Sequence, residues 1–271
     1  MKPAHRGRSR LPAALDRDRF ERLYQACNRR EYVYPDPLAV VLDFPNPIDR
    51  EIAALVASSL AYGRVTQILS SLERVFKVTG ESPGSYILSR TGEDIEADLA
   101  DFKHRWTTGK DLAGLLIGAR EILEEFGSLE AFFLTGMNEG DPNVLPALEA
   151  FVGGFGPRTG GSGSSLLASP AGGSACKRLN LFLRWMVRQD AVDPGGWTRV
   201  PPSLLVVPLD THMLRISRTL GLTGRKQADL VCALEITQAF RAISPDDPVK
   251  YDFALTRFGI RNDLSMEEFF G

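Results

Sequence analysis

Apolar residues recur every three or four positions over most of the chain, the spacing of helices that bury one face. In residues 48–59, Ile52, Leu55, Val56, Ser59 and Leu60 fall on one stripe, with Asp49 placed to cap the helix start. Past Ala61-Tyr62-Gly63 the spacing resumes through Val65, Ile68, Leu69, Leu72, Val75 and Phe76. Residues 112–126 repeat it with Leu112, Leu115, Leu116, Ala119, Ile122, Leu123 and Phe126. Shorter helices are expected to enter at Ser128 and Pro142, residue types favoured there. Strict alternation never lasts long enough for a sheet, and residues 204–207 are the one candidate extended piece. The pattern predicts an all-α fold.

Residues 153–173 break the periodicity with eight glycines among Ser, Pro and Thr, and regular structure is not expected there. The end of that run, Pro170-Ala171-Gly172-Gly173-Ser174, reads as a tight turn feeding a helix with Ser174 as its N-cap. Leu179, Phe182, Leu183, Met186 and Val187 supply that helix's apolar face. At 100° per residue, Arg184 and Arg188 return to within about 20° of Lys177, so the polar side reads Lys-Arg-Arg. Lys177 itself sits in the first turn beside Arg178, where the helix dipole disfavours a cation. A nucleophilic lysine attacks only as the neutral amine, so this setting suits one.

With 271 residues, 44% apolar and 24% charged, the chain has ordinary globular composition, which excludes wholesale disorder. No apolar run spans a bilayer, and the basic start MKPAHRGRSR lacks the core of a secretory signal, so a cytoplasmic protein is expected. Residues 1–12 are expected to be disordered, and 13–271 to hold one large domain or two small lobes that share a core. Three widely spaced cysteines, Cys27, Cys176 and Cys232, exclude a disulfide framework and four-Cys zinc or iron–sulfur sites. The net charge is −2, but residues 92–150 hold 13 acids against 4 Lys/Arg, and residues 174–226 hold 9 Lys/Arg against 3 acids. That asymmetry fits either a polyanion-binding face or two solvated faces of opposite sign.

Downstream of the Lys177 helix, a proline-bearing loop leads to Asp210, which opens a short helix ended by Gly221. Capping the first free N–H groups would keep Asp210 ionised.

PLDTHMLRISRTLGL is similar to the segment in which an Asp opens a helix in helix-hairpin-helix (HhH-GPD) DNA glycosylases. The Gly-Gly-Ser-Ala-Cys-Lys177 turn resembles the hairpin that precedes the catalytic lysine of the bifunctional members. The 33-residue interval from Lys177 to Asp210 is closest to the archaeal 8-oxoguanine glycosylase branch. CKRLNLFLRWMVR, PLDTH and DPVKYDFAL also look like a bacterial domain-of-unknown-function family placed in that superfamily. The resemblance spans residues 36–259, with Ala61-Tyr62-Gly63-Arg64 at the loop that enters the duplex in other members. It departs from the superfamily in the hairpin, which lacks the usual Leu-Pro-Gly-Val-Gly pattern, and it lacks the iron–sulfur cysteines of the endonuclease III branch.

The resemblance implies a two-lobed glycosylase fold with its active site in the cleft, acting on double-stranded DNA that carries a modified base, with no cofactor and no metal. It implies Lys177 as nucleophile and Asp210 as the carboxylate that stabilises an oxocarbenium-like sugar. Candidate DNA or base contacts are Tyr62, Arg64, Gly173, Ser174, Arg184, Arg188, His212, Arg215 and Arg218. Trp185 is a further wedge or pocket candidate, and the 102–106 run (Phe-Lys-His-Arg-Trp) mixes aromatic and basic residues as single-strand binders do. Two competing classes remain: a helical module that grips DNA without chemistry, and a Schiff-base lysine enzyme for a small carbonyl compound.

Overall fold

The computed structural model describes residues 15–158 and 166–258. The basic segment 1–12 and the middle of the glycine-rich run lie outside the described residues. Among the described residues, thirteen α-helices hold more than half of the positions. In chain order they are α1 (Arg17–Cys27), α2 (Leu38–Val41), α3 (Pro47–Ser59), α4 (Val65–Thr79), α5 (Pro83–Ser89) and α6 (Gly92–Asp98). There follow α7 (Gly109–Phe126), α8 (Leu129–Leu134), α9 (Leu145–Arg158), α10 (Lys177–Val187), α11 (Thr211–Thr219), α12 (Leu230–Arg241) and α13 (Asp252–Arg257). Among the described residues the one sheet is a hairpin of β1 (Lys103–His104) and β2 (Thr107–Thr108), too short to leave an alternating pattern. The fold is all-α, as the periodicity predicts.

α3 and α10 are the central pair and pack extensively on each other. The α3 stripe forms as expected, but Asp49 is not its cap. Asn46 accepts from the N–H groups of Ile48 and Asp49, and Pro47 follows at the first position, where a missing N–H costs nothing. Asp49 is buried instead and accepts from Ser82 Oγ and the Gly84 N–H, both at 2.8 Å, which ties α5 to α3. Two residues on, buried Glu51 accepts from the N–H groups of Leu129 (2.8 Å) and Glu130 (3.1 Å) and from Trp197 Nε1 (2.6 Å). It therefore satisfies orphan donors at the start of α8 from a distant part of the chain. Burial pushes its carboxyl pKa up despite those bonds.

An aromatic layer under α10 holds Phe132, Phe133, Phe151, Phe155, Phe182 and Trp197, with Phe182 and Trp197 edge to face at 5.2 Å. Each buried Phe contributes about 2–3 kcal/mol of apolar transfer. α9 begins at Leu145, later than Pro142, and continues through Gly153, Gly154 and Gly156, where the sequence predicts irregular chain. Burial of Leu148, Phe151 and Phe155 along one stripe outweighs the glycines' helix cost. At Gly154 the absent side chain is needed, because a Cβ would stand 2.3 Å from Phe132 Cζ. All three cysteines are free and buried. Among the described residues, no helix is long and apolar enough to cross a membrane.

Candidate active site at the start of two helices

The turn before α10 is built as expected except at its cap. Pro170–Gly172 form one 3-10 turn, Gly173 closes it at φ +75°, and its carbonyl accepts from the Leu230 N–H at 3.0 Å. Ser174 is not the N-cap. Its Oγ accepts from the Cys176 N–H at 3.1 Å, and Cys176 occupies the cap position at φ +47°, an uncommon conformation for a side chain other than Gly, Asn or Asp. Two Cys176 Sγ contacts, to the carbonyls of Ala168 (3.2 Å) and Ser174 (3.3 Å), hold that turn. From inside α10, Asn180 Nδ2 donates to the Ala175 carbonyl at 3.0 Å. Lys177 thus starts α10 on a backbone fixed from both sides.

Asp210 starts α11 as the sequence predicts, its Oδ1 accepting from the Met213 N–H at 2.8 Å. Its other oxygen, Oδ2, meets Lys177 Nζ at 3.0 Å. Burial alone would raise the Asp210 pKa, but the Lys177 charge and the Met213 N–H outweigh it and hold the carboxyl below its ordinary value. The two side chains keep 34% and 23% of their surface, so solvent or a ligand can reach the pair. Two cavities of about 480 Å³ meet at it, both lined by Ala61, Tyr62, Gly63, Lys177, Asp210 and His212. The first continues past Pro35, Trp185, Asp252 and Arg257, and the second past Ser174, Cys176 and Arg178.

The basic row on α10 requires correction. Arg184 and Arg188 are buried, at 3% and 4% exposure, and cannot meet phosphate. Arg184 donates to Asp193 Oδ1 through Nε (3.1 Å) and Nη2 (2.9 Å), and to Asp252 Oδ2 through Nη1. Arg188 donates to Asp247, Asp190 and Asp193. Charges taken out of water this completely persist only when paired, and four aspartates supply the pairing. The signal was present in the sequence: Leu-Phe-Leu-Arg-Trp-Met-Val is apolar around nearly its whole circumference, the mark of a helix buried on all sides. Burial lifts the Asp252 carboxyl to about 6 against the pull of Arg184. Trp185 is 1% exposed, so it is cavity wall and not a wedge.

The remaining candidates separate cleanly. His212, Arg215 and Arg218 are exposed on α11, with Arg215 and Arg218 flanking a shallow surface cavity. Arg64 is exposed at the start of α4. Tyr62 is half-buried and pinned: its hydroxyl bonds the His104 carbonyl (2.9 Å) and Thr107 Oγ1 (2.6 Å). Arg178 donates to the Ser59 carbonyl and lies 5.4 Å from the Tyr62 ring centroid. The sequence reading missed the cavity lining from Pro35–Pro37 and α13, although DPVKYDFAL had already drawn attention to the segment that carries Asp252. Among the described residues, no cluster of three or more His, Cys, Asp or Glu is arranged to hold a metal ion.

A family model described as "Protein of unknown function (DUF2400)" matches residues 36–261. No curated protein and no solved structure matches the chain.

Proposed function

Starting from a chain that belongs to the DUF2400 family of proteins of unknown function, we propose that it is a DNA glycosylase of helix-hairpin-helix type, with lyase activity through Lys177. The observation that carries this reading is the 3.0 Å contact between Lys177 Nζ and Asp210 Oδ2 in an open cleft, each residue at the start of its own helix. The PLDTHMLR segment and the glycine turn before Lys177 support it.

The chemistry follows from the pair. Asp210 is a proton acceptor for the Lys177 ammonium, leaving a neutral amine to attack the anomeric carbon of a nucleotide extruded into the cleft. The N-glycosidic bond breaks, its electron pair leaves with the base, and the proton that Asp210 took from Lys177 passes to the departing base. Having given up that proton, Asp210 is again a carboxylate, beside the positive charge that develops on the sugar. The amine nitrogen then carries the sugar; breaking the C1′–O4′ ring bond, with one proton passing from the nitrogen to O4′, gives the Schiff base, and β-elimination of the 3′ phosphate from it cuts the strand. His212 lines both cavities at the pair, and Arg215 and Arg218 on α11 and Arg64 at the start of α4 are exposed and available for phosphate.

The test is a panel of duplexes, each with a single modified base, assayed for free base and strand scission. Release from one or a few of them is expected. Salt-dependent binding without release from any duplex would support a DNA-binding module instead, and a borohydride-stable adduct with a small carbonyl compound alone would support a Schiff-base enzyme of another class.

A further inference from the structure

Of the three tryptophans, Trp185 and Trp197 are 1% and 3% exposed, whereas Trp106 is 77% exposed. Trp106 shares the two-residue turn of the β1–β2 hairpin with Arg105, which is held at φ +54°. An arginine in the left-handed region costs of order 1 kcal/mol and persists only where the surroundings impose it. Here they do. Gly63, itself at φ +97°, lies directly beneath, and a Cβ on it would meet Arg105 Cδ and Nη1 at 2.8 Å. The Arg105 guanidinium rests 4.5 Å from the Trp106 ring centroid, and the Tyr62 ring lies parallel to the indole, within 5°, at 6.1 Å.

The hairpin is locked to the α3–α4 loop. Buried His104 bonds the Tyr62 carbonyl through Nε2 (3.0 Å) and Ser71 Oγ through Nδ1 (2.9 Å). Burial lowers the His104 pKa, so the neutral ring serves, donating from Nε2 and accepting at Nδ1. Tyr62, tied back by its hydroxyl, also lines both cavities that meet at Lys177. An exposed indole on a rigid support is therefore one ring away from the candidate site. Lys103 and Arg105 are two of only four Lys/Arg in the acidic stretch 92–150, so the hairpin tip is a basic island. Exposed π surface together with fixed positive charge matches a partner that presents flat π systems on an anionic backbone.

We infer that the Arg105–Trp106 tip is a base-stacking platform of the DNA face: Trp106 lies against a base left without its partner beside the cleft, and Arg105 meets a neighbouring phosphate. This rests on the DNA reading proposed above and adds to it a residue outside the Lys177–Asp210 cleft. Tyr62, at the position where the resemblance placed a wedge, supports the platform and does not itself enter the stack.

The probe is a short duplex with 2-aminopurine opposite a tetrahydrofuran abasic analogue, titrated at several salt concentrations. Wild type is expected to bind in a salt-dependent way and to quench the 2-aminopurine. Base–aromatic stacking is worth about 1–3 kcal/mol by alanine substitution, so Trp106→Ala should bind roughly 5- to 150-fold more weakly and lose the quenching. Its salt slope should be unchanged, because no charge is removed. Trp106→Phe should recover most of both signals. Wild-type affinity and quenching in Trp106→Ala, with salt-dependent binding intact, would overturn the platform and leave the glycosylase reading standing. Absence of salt-dependent binding by wild type would overturn both.

Discussion

Asp210→Asn is expected to slow base release at least a hundredfold while leaving melting temperature and DNA affinity near wild type. Asn caps a helix about as well as Asp, so the bond to the Met213 N–H survives the change. The lost ion pair with Lys177 is partly exposed on both sides and worth at most about 1 kcal/mol of stability. Rate is different. Removing one preorganised group from the place where charge develops costs roughly 3–4 kcal/mol, or about 10²–10³ in the chemical step. The variant also loses the proton acceptor for the Lys177 ammonium. Single-turnover kinetics on whichever lesion the duplex panel identifies, run beside a thermal melt, checks both halves. Equal rates for Asn and Asp would reduce Asp210 to a helix cap.

Arg184→Ala should do the reverse and act on the fold. The substitution strips buried Asp193 and Asp252 of a shared guanidinium, and breaking such a pair costs about 3–5 kcal/mol. For a chain of this size that is a fall in melting temperature of roughly 6–20 °C. Arg215→Ala, on exposed α11, is the matched control and should stay within about 0.5 kcal/mol of wild type. An unchanged melting temperature in Arg184→Ala would mean that the α10 arginine faces solvent after all.

What the sequence disclosed follows from the range of the interactions involved. α3, α4 and α7 were legible because helix periodicity is local, and each carries its own apolar stripe. Lys177 and Asp210 were legible because each opens a helix within a distinctive motif. Their contact is long-range, and only the resemblance anticipated it. Arg184 and Arg188 were misread because the helical wheel was read for its cations, although the apolar residues around them marked a buried helix; only their pairing with Asp190, Asp193, Asp247 and Asp252 needed the structure. Glu51 left no trace, and His104 was seen only as part of the 102–106 run, because the groups they bond lie far along the chain. The hairpin that carries Trp106 has two residues per strand, below the length at which alternation can be seen.

The central claim, that Lys177 is the nucleophile of a glycosylase, is tested most directly by locating the covalent intermediate. Borohydride reduction during turnover would convert the Schiff base into a stable amine, and peptide mapping of the cross-linked protein would find the modified residue. The adduct is predicted on Lys177 and should be missing from Lys177→Gln, which keeps its helical content. An adduct on another amine, or one undiminished in Lys177→Gln, would contradict the account.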